Sequence, residues 1–347
     1  MNPYIEIKGR KIGLDYAPLV IAEIGINHNG SLEEAKKLVR AAKDAGAEIV
    51  KHQTHIPDEE MSQLAKKAIP GNSSFSIYDI MARCALTEEE EIEMKRYTEE
   101  LGMIFISTPF SFAAADRLKK MDVPAYKIGS GEMNNYDFVE YIASFHKPII
   151  LSTGMNDIES VKKAVAAIEK HHKNYVIMHT TNLYPTPSHL IRLGALEEIK
   201  KEFPNAIIGL SDHSLNNLAC LSAVALGASV LERHFTDTKE RKGEDIICSM
   251  DIKECAELIL QSKEVQKMRG GKKEAAKEEQ VTIEFAFSTL VAKNDIPSGT
   301  VLTRELFDTK RPYLKGILAS DMDLVIGKKT INPISKGSHF EWSDIEK

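Results

Sequence analysis

Cysteine, tryptophan and long apolar runs are all scarce in this sequence. The four cysteines (Cys84, Cys220, Cys248 and Cys255) show no CxxC spacing and sit in helix-like or strand-like surroundings. That fits reduced thiols in a cytoplasmic protein better than a disulfide frame. No apolar run reaches the length of a membrane span. The N-terminal stretch MNPYIEIKGRK lacks the apolar core of a signal peptide. Basic charge is not in excess either: 45 Lys and Arg stand against 51 Asp and Glu, a net −6. A general nucleic-acid binder is therefore not expected, although local lysines can still hold a small anion. No GxGxxG follows a first strand and no GxxxxGKS/T occurs anywhere, so the two common glycine-rich phosphate loops are missing.

What is present is a repeated alternation of short apolar runs and amphipathic stretches. After an alternating segment over 4–13, which predicts a hairpin, apolar runs recur at 19–25, 47–53, 103–108, 125–130, 148–153, 175–181, 206–211 and 229–234. Helical patterns separate them. Ser31 with Glu34 and Thr87 with Glu90 have capping-box spacing, and Asp157 opens a further helix. Near-continuous apolar runs are the mark of buried parallel strands. Eight such units in about 250 residues predict a closed (β/α)8 barrel, a TIM barrel, in preference to an open doubly wound sheet. A last amphipathic helix is expected over about 252–268. The boundaries read from the chain are a barrel domain over 1–270, a charged, glycine-containing linker over 271–283 and a small β-rich module over 284–347.

The polar residues cluster at the C-terminal ends of the runs: Glu23, Lys51 and Gln53, Thr108, Lys127 and Ser130, Ser152, Asn182, Ser211 and His213, and His234. In a barrel these ends converge on one mouth, where active sites of this fold are built. Any one of them could simply bond backbone at a strand end; the whole set is harder to explain as solvated rim. His213 and His234, 21 positions apart, each close an apolar run on either side of a helix. They predict either a divalent-metal site or two polar rim histidines. Two imidazoles are too few for a closed structural zinc site, so substrate or water would complete the coordination. Lys51 and Lys127 with Thr108, Ser130, Ser152 and Ser211 suit a phosphate or phosphate-plus-carboxylate ligand. Glu23, inside an apolar run, reads as a general acid or base, or as an ion-pair partner of Lys51. The stretch from His55 to about Leu86 is unusually long for a connection. It carries Asn72 in a Pro-Gly-Asn turn, which either stabilises that turn or reaches a polar substrate.

The runs IAEIGINHNGS, VKHQTHI, IPGN, FISTPFS, AYKIGSGE, ILSTGMN, TTNLYPTP, IGLSDHS and LERHFTD closely resemble the bacterial sialic acid synthases, a phosphoenolpyruvate-dependent condensing family. The resemblance is collinear over essentially the whole chain and includes a C-terminal antifreeze-like (SAF) module. It implies condensation of phosphoenolpyruvate with N-acetylmannosamine and water, giving N-acetylneuraminate and phosphate. It further implies a manganese ion, with magnesium or cobalt as alternatives, held by His213 and His234, and Glu23 as acid/base. Lys51, Gln53, Thr108, Lys127, Ser130, Ser152 and Ser211 match the phosphoenolpyruvate pocket. Asn72, Glu132, Asn182, Tyr184 and Asp245 match sugar-binding positions. Arg311 matches an arginine that enters the partner's mouth in a domain-swapped homodimer. VKHQTHI and IPGN look like the N-acetylmannosamine-using branch. The alternatives are a sibling legionaminic acid synthase acting on 2,4-diacetamido-2,4,6-trideoxymannose and a sugar-binding protein without turnover. Two positions depart from the family pattern: Met133 stands where Cys is frequent, and Glu244 stands where Pro is common before Asp245.

Overall fold

Side-chain parity along eight short strands organises the larger part of the chain. The computed structural model describes every residue except Met1 and Asn72. A hairpin, β1 (Tyr4–Ile7) and β2 (Arg10–Gly13), precedes β3 (Leu19–Gly25), α1 (Leu32–Asp44) and β4 (Ile49–Thr54). The long connection that follows contains α2 (Pro57–Glu60) and α3 (Ile77–Cys84) and leads into α4 (Glu88–Glu100). Then come β5 (Ile104–Pro109), α5 (Phe112–Lys120), β6 (Tyr126–Ile128), α6 (Tyr136–Ala143), β7 (Ile149–Ser152) and α7 (Ile158–Glu169). The barrel finishes with β8 (Tyr175–Thr180), α8 (Gly194–Glu202), β9 (Ile207–Asp212), α9 (Leu218–Ala225), β10 (Val230–His234) and α10 (Ile252–Met268). Strands β3 to β10 are all parallel, and β10 closes on β3, so this is the (β/α)8 barrel expected from the sequence.

Alternate residues of each strand serve different layers. Leu19, Ile21, Ile49, Ile106, Ala125, Ile150, Val176, Met178, Ile207 and Val230 form an interior core, and Ile5, Ile7 and Ile12 of the hairpin pack onto it. The intervening residues, such as Val20, Val50, Phe105, Tyr126, Leu151 and Leu231, face the helices. Parity then dictates that the next inward positions are Glu23, Lys51, Thr108, Lys127, Ser152, Ser211 and Glu232. Of the two capping boxes read from spacing, Thr87 and Glu90 form one. Ser31 caps α1 by accepting from Glu34 N, but the Glu34 carboxylate turns outward to Lys37 and Arg241, so that box is only half made.

A second compact unit comprises Gly271–Lys347. The span 271–283, expected as linker, contains a helical turn at Lys277–Glu279 and the start of α11 (Gln280–Ala286). Beyond it, β11 (Thr289–Ala292) pairs with β12 (Phe307–Lys310) and α12 (Met322–Val325) follows. Leu290, Leu302, Phe307, Ile317, Ile334 and Phe340 give this unit its own core. Among the described residues no helix is long and apolar enough to cross a membrane, and all four cysteines are free and buried.

Outside the barrel wall, His28 and His52 meet at 3.2 Å through their Nε2 atoms. Gly30 N–H donates to His28 Nδ1, so the proton of neutral His28 sits on Nε2 and is donated to His52. Both rings are buried. Burial pushes the His28 imidazole down to about 4 and holds His52 well below the usual range. A base whose folded pKa is depressed contributes stability that is present above its unfolded pKa and lost as pH falls toward the folded one. Because each pH unit below about 6.5 is worth about 1.4 kcal/mol, the wild type should lose about 2 kcal/mol more than His28→Gln between pH 7 and pH 5. Urea denaturation at the two pH values measures this; equal losses would refute it.

Candidate active site

The inward, C-terminal residues of the strands line a single cavity at the barrel mouth. Lys51, Gln53, Thr108, Lys127, Ser130, Glu132, Ser152, Asn182, Tyr184, Ser211, His213 and His234 all border it, joined by Phe110, Thr180 and Glu232. Its floor is a buried quartet of charges. Lys127 Nζ lies 2.6 and 2.7 Å from the two Glu232 oxygens, Lys51 Nζ lies 3.7 Å from Glu232 Oε1, and Lys51 also pairs with Glu23. Two hydroxyls join them: Ser211 Oγ donates to Glu232 at 3.2 Å, and Lys51 donates to Thr108 Oγ1 at 3.2 Å.

The quartet is neutral in sum, but its members are unequal. Burial alone would raise the Glu232 carboxyl, yet Lys127 and Lys51 outweigh it and hold it at about 2. Burial pulls Lys127 down to about 8 despite Glu232. Lys51 is also pulled down by burial, but Glu23 and Glu232 together carry it above the ordinary lysine value. Glu23 is pushed up to about 7 by burial, against the pull of Lys51. The floor thus combines two ammoniums with one firmly ionised carboxylate, Glu232, and one, Glu23, that titrates near neutrality.

Glu23 is held at its other oxygen by Gln53 Nε2 at 3.0 Å. The register of β3 against β4 slips between Glu23 and Gly25, where the chain takes φ +47°. A Cβ at Gly25 would stand 3.0 Å from Glu23 Oε1 and 3.3 Å from Gln53 Nε2, so a side chain there would displace the acid.

At the far side of the cavity the two histidines stand with ring centroids 5.4 Å apart, and Tyr184 packs on His213 at 4.1 Å. His213 Nδ1 faces Thr181 O at 2.9 Å, which makes it the protonated nitrogen and leaves the Nε2 lone pair free. His234 Nδ1 is buried without a hydrogen bond, 3.5 Å from Asp245 Oδ2. Burial pushes His213 down to about 4 and His234 to about 3, so both rings are neutral at physiological pH. Neutral imidazoles with an orphaned buried nitrogen fit a divalent ion. Among the described residues no group of three His, Cys, Asp or Glu side chains forms a full ligand set, so water or substrate would supply the remainder. Asp245 itself is raised to about 6 and Glu132 to about 7, each by burial. Asn182 Oδ1 is buried and unpartnered, and it occupies the space a Cβ at Gly154 would take.

The family comparison follows this geometry. The NeuB family model matches residues 38–274, and the SAF domain model matches residues 288–346. The chain belongs to the NeuB family. It is 36% identical over 320 residues to an N,N'-diacetyllegionaminic acid synthase of Campylobacter jejuni, covering 89% of this chain and 95% of that one. It is 32% identical over 328 residues to the human N-acetylneuraminate-9-phosphate synthase, covering 93% and 91%. The crystal structure of an N-acetylneuraminic acid synthetase from Leptospira borgpetersenii, in complex with citrate, superposes with a TM-score of 0.75 at 28% identity, over 82% of this chain and 96% of that one.

In this NeuB chain most of the residues singled out from sequence meet in the mouth. Glu23 lies at its floor and Asp245 beside His234. Arg311 is an exposed residue at the end of β12 in the second unit, and Asn72 falls outside the described residues. Glu232 is the charged member of the floor that sequence reading missed. The signal was present: Glu232 stands two positions before His234 in LERHF, so strand parity turns both into the barrel. The intervening Arg233 faces outward, fully buried, donating to Ser214 O at 2.6 Å and to Asn217 Oδ1 at 2.7 Å. Glu244, the departure from the family pattern, forms a clasp. Arg83 of α3 reaches it at 3.1 Å and Ser73 Oγ at 3.3 Å, tying the long β4–α4 connection to the loop that carries Asp245.

Removing one member of a buried charge group leaves its partners desolvated and unpaired. Glu232→Gln is therefore expected to destabilise the fold by about 3–5 kcal/mol. Chemical denaturation checks it; an unchanged midpoint would show that the two lysines do not depend on this carboxylate.

Proposed function

We propose that this NeuB-family protein condenses phosphoenolpyruvate with N-acetylmannosamine and water, giving N-acetylneuraminate and phosphate. The observation that carries the reading is the meeting, in one cavity, of a two-lysine, many-hydroxyl anion site with two neutral imidazoles. Lys51 and Lys127, with Thr108, Ser130, Ser152 and Ser211, would receive the phosphate and carboxylate of phosphoenolpyruvate, with Gln53 alongside. An arriving anion replaces part of what Glu232 supplies to the lysines, so binding exchanges one set of charge-assisted bonds for another. Asn182, Glu132, Tyr184 and Asp245 would hold the sugar, with Asn72 and Arg311 added on resemblance. Glu132, raised to about 7, can donate as well as accept at neutral pH.

In this scheme C3 of phosphoenolpyruvate attacks the aldehyde carbon of the open-chain sugar. C2 then takes up water, and the tetrahedral intermediate expels phosphate by C–O cleavage. Glu23 accepts the proton of that water; its raised carboxyl, with Lys51 and Gln53 on either side, is suited to exchange a proton near neutral pH. His213 and His234 would hold a divalent ion, manganese by preference with magnesium or cobalt as alternatives, and such an ion supplies Lewis-acid polarisation of a carbonyl oxygen. A cytoplasmic, domain-swapped homodimer completes the proposal; the free, buried cysteines support the compartment.

A second reading, legionaminic acid synthesis, is favoured by the identity to the Campylobacter jejuni relative. Its sugar lacks the C6 hydroxyl, and a site built to bond that group should reject the analogue strongly. Phosphate release from phosphoenolpyruvate with manganese, comparing N-acetylmannosamine with 2,4-diacetamido-2,4,6-trideoxymannose, separates the two. Faster release with N-acetylmannosamine is expected; the reverse preference would move the protein to the legionaminic branch, and release with neither would sink both readings. For the metal, His213→Ala should weaken manganese binding, followed by calorimetry in the absence of substrates. Unchanged affinity would remove His213 from the ligand set.

A further inference from the structure

Glu23 is not held by the charge quartet alone. A buried chain of hydrogen bonds runs from it into the long connection after β4. Gln53 Nε2 donates to Glu23 Oε1 at 3.0 Å, and Gln53 Oε1 lies 3.1 Å from His55 Nε2. His55 Nδ1 in turn lies 3.0 and 3.1 Å from the two oxygens of Glu60. The His55 and Glu60 side chains are each only 3% exposed, and the His55 ring stacks on Phe110 with centroids 4.3 Å apart and planes 16° apart. Phe110 and Gln53 both line the cavity.

The donor inventory of this chain fixes its chemistry. With Gln53 giving its NH2 to Glu23 Oε1, its carbonyl oxygen faces His55 and can only accept. His55 Nε2 must therefore carry a proton. The other ring nitrogen faces a carboxylate, which also accepts. A neutral imidazole has one N–H and cannot serve both neighbours, so the pair His55–Glu60 holds one proton more than a neutral imidazole beside a carboxylate. Sharing between a cationic ring and a carboxylate gives the stronger, charge-assisted bond.

We propose that His55, kept as an imidazolium by Glu60, is a positioning residue for the proposed acid/base Glu23: it fixes the Gln53 amide so that its NH2 group holds the Glu23 carboxylate toward the mouth. The dependence is steric as well as electrostatic. Without the His55 donor the Gln53 amide is free to turn, presenting its oxygen to Glu23 Oε1 and repelling an ionised carboxylate. Phe110 keeps the imidazole in the plane that reaches both Gln53 and Glu60. His55 itself donates to no substrate group in this arrangement, so its effect passes through Gln53, onto the step that Glu23 serves and onto the phosphoenolpyruvate site that Gln53 borders, and not onto the sugar. The inference rests on the reading of Glu23 under the proposed function, but its structural half stands apart from any substrate.

The test has two arms. In 15N NMR of histidine-labelled protein at neutral pH, one ring should show both nitrogens protonated; that signal should vanish in His55→Phe and change to a neutral ring in Glu60→Gln. In phosphate-release kinetics with phosphoenolpyruvate and the preferred sugar, both variants should lose kcat by about 10–100-fold, as expected for a misaimed catalytic group. KM for the sugar should stay within about threefold, because no sugar-binding residue named above belongs to this hydrogen-bonded chain. A neutral His55 in the wild-type spectrum, or full kcat in either variant, overturns the proposal. The NMR arm needs no substrate, and Glu60→Gln assigns the ring where His55→Phe fails to fold, so it decides the His55–Glu60 arrangement even where neither sugar is turned over.

Discussion

The buried quartet of Glu23, Lys51, Lys127 and Glu232 is the interaction on which the mouth of this barrel depends. Two ammoniums placed alone in a barrel interior would be prohibitively desolvated, as would two carboxylates. With both carboxylates on adjacent β10 and β3 and the lysines on β4 and β6, they neutralise one another across the barrel and leave the lysines charged at the floor of an open cavity. The arrangement keeps cations ready for an anionic ligand without an anion present to stabilise them. Glu232 is the hinge of this economy, because it contacts both lysines and Ser211. Glu23 is its unequal counterpart, less firmly ionised.

Around that floor the loops are tied to one another more tightly than to solvent. Asn27 after β3 donates to Phe235 O and to Ser249 Oγ, both at 2.9 Å, and Asn29 donates to Lys242 O at 2.9 Å. Ile26 packs with Ile80 and Cys84 of α3, and Arg83 clasps Glu244. Three connections that are distant in sequence are therefore joined into one rim. Glu244, standing where Pro is common, adds a negative charge beside Asp245; the Arg83 guanidinium answers that charge.

The fold was legible because strands and helices write different periods into a chain. Strand positions read from apolar runs lie within a few residues of those observed, since eight parallel strands buried on both faces need near-continuous apolar sequence. Most of the mouth was legible for the same reason: polar residues ending such runs have nowhere to go but the C-terminal rim. Glu232 escaped because it lies within a run, two residues before the histidine that drew attention. His55 and Glu60 escaped because they lie past the strand end, in a connection whose path no periodicity describes. The Ser31–Glu34 box failed as a pair because Arg241, far away in sequence, competes for the glutamate.

The sequence by itself determined the barrel, the hairpin before it, the separate small module and the identity of nearly every group that faces the cavity. These follow from local rules, the two-residue period of strands and the caps and breaks of helices, which need no knowledge of partners. Only the tertiary structure decided which charges meet. Whether Glu23 pairs with Lys51, whether both histidines are neutral, and whether Gln53 turns its amide toward Glu23 all depend on distances of about 3 Å between strands far apart in the chain. Burial then sets the protonation of each group, and burial is a property of the closed barrel rather than of any segment of it.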